Sequence, residues 1–233
     1  MQPENPLTAP ARVASATPAL ARNRVLRNTY LLLAISMVPT VLGAWLGVAL
    51  KFTLFPGHPA IAAMLFLAIA FGFMFGIEKT KNSAAGVGLL LAFTFFMGLM
   101  LSRMLGVVLG LANGASLIAL AFGGTGVIFA SMAAVGTVTK RDLSGLAKFL
   151  FIGVILLLVA SFANIFLQIP AMMIATSVIA IAIFSAFMVV DVNRIVTGGE
   201  TNYVTATLML YLDIYNVFVN LLALLGITGG SND

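Results

Sequence analysis

The stretch Thr205-Ala206-Thr207-Leu208-Met209-Leu210-Tyr211-Leu212-Asp213-Ile214-Tyr215-Asn216-Val217-Phe218-Val219-Asn220-Leu221-Leu222-Ala223-Leu224-Leu225-Gly226 decides the fold. It is long enough to cross a bilayer as one helix. At 100° per residue, Thr205, Asp213, Asn216 and Asn220 fall within an arc of roughly 80°, and the remainder is apolar or aromatic. A carboxylate at mid-span, about 14 Å from the start of the helix, costs several kcal/mol if it faces lipid. This helix is therefore expected at the centre of a bundle, with the other helices around it.

Composition carries the same message outward. The chain has 233 residues, of which 61% are hydrophobic and 8% charged. A water-soluble domain carries about 25% charged residues. The sequence reads as one all-α integral membrane domain. It has no cysteine, so disulfides and thiolate chemistry are excluded, and its single histidine, His58, excludes a multi-histidine metal site. The net charge of +5 does not indicate nucleic acid, because basic residues in a membrane protein mostly report topology.

Apolar runs predict seven transmembrane helices, near residues 29–50, 60–77, 84–105, 115–138, 146–167, 170–190 and 204–226. The domain layout is a flexible cytoplasmic tail over 1–28, the seven-helix domain over 29–228 and a short tail over 229–233. The first apolar run is longer than the core of a cleavable signal. Ten of the 12 basic residues fall on one side of these spans: Arg12, Arg22, Arg24, Arg27, Lys79, Lys81, Lys140, Arg141, Lys148 and Arg194. Lys51 and Arg103 fall on the other. The positive-inside rule places the N-terminus in the cytoplasm and the C-terminus outside. The pairs Gly43/Gly47, Gly72/Gly76 and Gly106/Gly110 read as close packing within the bundle ahead of a dimer face. Ser161, Asn164 and Gln168 share a face of the fifth span and read as interhelical hydrogen-bonding groups ahead of the lining of a wet cavity at the outer end.

Asp191 closes the sixth span and Asp213 lies in the seventh. The two helices are consecutive and antiparallel, so the carboxylates meet if the sixth helix tilts or continues past Asp191. Two carboxylates in a low-dielectric site do not both ionise easily; they share one proton and titrate as a unit. They form the candidate ion- and proton-sensing site. Asn216 and Asn220 are the supporting polar stripe. With Asn216 and water, the pair offers oxygen ligands for a transient Ca²⁺, but too few fixed ones for a tight site. The plainer alternative for Asp191 is an interfacial pairing with Arg194 or a lysine. Glu78 reads as the interfacial partner of Lys79 or Lys81. No nucleotide loop, HExxH or GxSxG motif is present. Two aspartates are also the dyad of an intramembrane hydrolase, but nothing else marks a peptide-binding element, and the chain reads as a non-enzyme without a resident cofactor.

Several stretches carry a resemblance. Tyr211-Leu212-Asp213-Ile214-Tyr215-Asn216-Val217-Phe218, followed by Asn220-Leu221-Leu222, resembles the last-helix signature of the Bax inhibitor family. Lys140-Arg141-Asp142-Leu143-Ser144 is similar to the family's loop between the fourth and fifth spans. Arg24-Val25-Leu26-Arg27-Asn28-Thr29-Tyr30, Ala163-Asn164-Ile165-Phe166-Leu167-Gln168-Ile169-Pro170 and Gly198-Gly199-Glu200-Thr201-Asn202-Tyr203 resemble its bacterial YccA branch. The resemblance implies a seven-helix bundle with a central last helix in the bacterial inner membrane. It implies binding to the FtsH protease and modulation of its activity. It also implies, from other bacterial members, a pH-sensitive calcium leak that uses an aspartate pair at the positions of Asp191 and Asp213.

Overall fold

The computed structural model describes residues 18–229. Seven helices follow in order: α1 (Pro18–Ala49), α2 (Pro59–Thr80), α3 (Ala84–Leu109), α4 (Gly114–Val138), α5 (Ser144–Leu167), α6 (Pro170–Thr197) and α7 (Tyr203–Gly229). All seven are long and apolar enough to cross a membrane. A chain without water around it must bond its backbone internally, and a helix does so segment by segment. Short connections make successive helices antiparallel. Between α5 and α6 only Gln168 and Ile169 intervene, and Gln168 takes a left-handed φ of 52° to reverse the chain.

Two helices are longer than their apolar runs suggest. Helix α1 starts at Pro18, so residues 18–28, expected within the tail, are helical. Proline suits the first position of a helix, and the Ala-Leu-Ala-Arg sequence after it favours helix. An Arg22 Nη1 hydrogen bond to the Val196 carbonyl, at 3.2 Å, ties this turn to the end of α6. Helix α6 runs seven residues beyond the expected end at 190, which carries Asp191, Asn193 and Arg194 on helical backbone. The tail residues 1–17, including Arg12, and the C-terminal residues 230–233 lie outside the described residues.

Helix α7 packs against α6, α4, α1, α3 and α2, and α5 alone stands away from it. The tightest packing joins α1 and α3. A Cβ added at Gly43 would sit 2.2 Å from the Phe95 carbonyl oxygen, and one at Gly98 would sit 2.1 Å from that of Thr40. The Gly43/Gly47 pair is therefore a packing face inside the bundle. Gly72 and Gly106 have no such neighbour within 4 Å. Asn164 differs from expectation: its Oδ1 accepts the Ile169 backbone N–H at 2.9 Å and closes the α5–α6 turn, rather than reaching another helix.

Basic residues gather at one end of the bundle: Arg22, Arg24 and Arg27 on α1, Lys79 and Lys81 at the α2–α3 turn, Lys140, Arg141 and Lys148 around the α4–α5 loop, and Arg194 on α6. In that loop, Asp142 accepts the Ser144 backbone N–H at 2.9 Å together with the Ser144 hydroxyl, which holds its carboxyl below the ordinary carboxylate value.

Candidate functional site: a buried carboxylate pair

The α6–α7 turn sets the register of the two helices. Helix α6 stops at Gly198, whose φ of 85° suits a residue without a side chain. The Gly199 N–H returns to the Arg194 carbonyl at 2.8 Å. Asn202 then opens α7: its Oδ1 accepts the Val204 N–H at 2.9 Å and the Thr205 N–H at 3.2 Å. These are two of the donors that a helix start leaves unpaired. The Asn202 amide also donates to Asn82 Oδ1 at 2.8 Å and to the Lys81 carbonyl at 3.3 Å, fastening this turn to the α2–α3 turn.

From that anchor Asp191 lies about 9 Å into α6 and Asp213 about 15 Å into α7 along the helix axes. Each is only 5% exposed. Their carboxyls face each other within hydrogen-bonding reach. Asp213 Oδ2 is buried with no hydrogen-bond partner. Arg194 and Glu200 act on Asp191 from farther out. Arg194 itself is exposed, and among the described residues the one ion pair joins Lys81 to Glu78. The interfacial pairing of Asp191 with Arg194 is thus not formed, whereas Glu78 does take the interfacial lysine expected for it.

Asn193 holds the Asp191 turn in place. Its Nδ2 donates to the Thr139 carbonyl at 2.6 Å, and the Gly136 carbonyl lies 3.5 Å away. These carbonyls sit at the C-terminal end of α4, where a helix leaves acceptors unpaired. Gly136 permits the approach, since a Cβ there would come within 2.7 Å of the Val189 carbonyl oxygen. No local pattern in the sequence marks Asn193, because its partners are more than fifty residues away.

In the supporting stripe, Asn216 donates one amide N–H to the Leu212 carbonyl and Asn220 one to the Asn216 carbonyl, both at 2.8 Å and both within α7. Thr205 reaches Glu78 Oε2 at 3.3 Å. The opposite face of α7 carries residues that the stripe reading passed over. Tyr211 Oη lies 2.9 Å from Thr40 Oγ1 and 3.4 Å from the Thr94 carbonyl. Tyr215 donates to the Met97 carbonyl at 3.1 Å. The signal for them was two tyrosines one turn apart inside an apolar span.

Among the described residues, no three His, Cys, Asp or Glu side chains cluster. Ca²⁺ takes 6–8 oxygen ligands, so two carboxyls do not make a resident calcium centre. What the pair can do chemically is hold a proton between two oxygens, or exchange it for a passing cation.

A family model described as Inhibitor of apoptosis-promoting Bax1 matches residues 22–230. The chain belongs to the Bax inhibitor family. Among its relatives is an Escherichia coli (strain K12) protein named Modulator of FtsH protease YccA. It is 37% identical over 210 residues, which cover 90% of this chain and 93% of that one. A Vibrio cholerae membrane protein is 36% identical over 222 residues, covering 95% of this chain and 97% of its own length. A Pseudomonas aeruginosa protein is 37% identical over 209 residues, covering 89% and 91%. The Bax inhibitor family match takes in all seven helices, so the carboxylate pair and both faces of α7 lie within the shared region.

Proposed function

We propose that this protein is a non-enzymatic modulator of an FtsH-type membrane protease in the bacterial inner membrane, with its N-terminus in the cytoplasm. The observation that carries the reading is 37% identity across 90% of the chain to a protein named for that role. The positive-inside rule supports the orientation, since nine basic residues of the described chain lie at the end where α1 begins. We take residues 1–17, on the N-terminal side of that end, as the segment a cytoplasmic protease would engage. Co-purification of the full-length protein with FtsH from solubilised membranes, and its turnover with and without residues 1–17, test the reading. Association with FtsH together with slower turnover of the truncated chain is the expected result. No association and equal turnover would overturn it.

A second reading is favoured by the Asp191–Asp213 contact. A buried carboxyl pair with an unpartnered oxygen is a device for exchanging a proton against a cation, and it supports a pH-sensitive calcium leak. Both activities can reside in one chain. Liposomes with an internal calcium dye decide it: Asp191→Asn and Asp213→Asn should each abolish the pH dependence of calcium entry between pH 6 and 8. Entry equal to wild type in both variants would remove the pair from the mechanism.

A further inference from the structure

Helices α1 and α4 flank a groove that the bundle itself leaves unfilled. No Cα of α1 comes within 8 Å of one in α4. Helices α3 and α7 form the floor between them, and the cavity measures about 1050 Å³. Along α1 it is lined from Tyr30 to Val48, and along α4 from Ala115 to Ala133. At 1.5 Å per residue each wall is about 27 Å long, close to the full hydrocarbon thickness of a bilayer. Apart from the hydroxyls of Tyr30, Thr40, Thr125, Tyr211 and Tyr215 and the indole N–H of Trp45, the lining is apolar.

Shape selects the occupant. Tyr30 and Phe129 touch edge to face, with ring centroids 6.1 Å apart, so the two walls meet towards the basic end. A rigid helix cannot lie along a groove closed in this way. A flexible hydrocarbon chain entering from the side can.

Charge selects the headgroup. Arg27 precedes Tyr30 by one helical turn and so continues the groove face of α1. Lys140 stands two residues past the end of α4, at the basic end of that wall. Both cations are exposed and neither belongs to an ion pair among the described residues. The Tyr30 hydroxyl likewise has no hydrogen-bond partner among them. We infer that the α1–α4 groove binds an anionic phospholipid, with its acyl chain against Gly126 and its headgroup at Arg27, Lys140 and Tyr30.

Full-length protein reconstituted in vesicles of equal parts phosphatidylglycerol and phosphatidylethanolamine, with matched acyl chains, is then released into detergent and weighed by native mass spectrometry. Phosphatidylglycerol should be retained preferentially. Arg27→Ala and Lys140→Ala should each lower that preference about five-fold, as expected for about one kcal/mol per basic residue at a membrane surface. Gly126→Phe projects a ring from a groove position where no atom lies within 4 Å of an added Cβ. It should remove retention of both lipids while helix content and melting temperature stay at wild-type values. Equal retention of the two lipids, or a preference unchanged in all three variants, would overturn the inference. The chain has no cysteine, so a single Gly126→Cys variant provides a second measurement. A disulfide-linked dimer formed in the vesicles would assign the groove to a second copy and overturn it; no dimer is expected.

Discussion

The two polar faces of α7 solve the same problem in opposite ways. On one face the hydroxyls of Tyr211 and Tyr215 find carbonyl acceptors at Thr94 and Met97, and Tyr211 also meets the Thr40 hydroxyl. On the other face Asp213 meets only another carboxyl, and one of its oxygens has no partner. A hydroxyl brings its own donor, and the backbone of a neighbouring helix supplies acceptors at fixed places. A carboxylate brings acceptors alone, in a medium where donors are already bonded within helices. Its need can be met only by a proton, a cation or a mobile side chain. The tyrosine face therefore fastens the bundle and the aspartate face leaves it responsive to what surrounds it.

The largest expected effect breaks the tyrosine face from behind. Gly98→Val places a side chain against the Thr40 carbonyl, and α1 must move away from α3. Thr40 and Thr94, which hold Tyr211, move with them. The loss should be about 3 kcal/mol or more, measured as a lower midpoint in denaturant or a lower yield of folded protein. Next is the aspartate face. Asp213→Asn replaces one of the two buried carboxyls by an amide that can donate to Asp191, and should raise the thermal midpoint at pH 8; a lower midpoint there would mean that the wild-type pair is satisfied as it stands. Tyr211→Phe should cost about 1 kcal/mol at every pH, the ordinary value of one hydrogen bond. A pH-dependent loss in that variant would mean that the two faces are coupled.

The smallest effect lies outside the membrane and serves as the reference. The Asp142 carboxyl is held below its ordinary value by Ser144. Its contribution is present above about pH 3.9, the unfolded value, and is lost as pH falls through the lower native value. The protection of the Ser144 amide against exchange, relative to its intrinsic rate, should therefore fall only in acid.

Asp213 was legible because a mid-span carboxylate is costly anywhere and stands out from apolar neighbours. Its meeting with Asp191 followed from consecutive antiparallel helices. The continuation of α6 was not legible: Asp191, Asn193 and Arg194 look like residues leaving a membrane. What keeps them helical is Asn193 bonding to carbonyls of α4, a contact with no local trace. The glycine pairs make the same point. Gly43/Gly47 and Gly72/Gly76 have one spacing, yet only the first packs against backbone, that of Phe95 and Leu99 on another helix. The groove between α1 and α4 left no sign in either helix, since both of its walls read as ordinary lipid-facing stripes.

Helix α5 is the counterpart to all of this. It packs on α6 and α2 but not on α7, and among its 24 residues Leu150 alone is buried. A side chain surrounded by hydrocarbon tails is judged for apolarity and hardly for shape. Mutational drift should run fastest along this helix, exchanging Leu, Ile, Val and Phe freely while total hydrophobicity stays constant. The oldest words of the sequence should then be found on α7, and α5 should keep little more than the imprint of the bilayer it was written in.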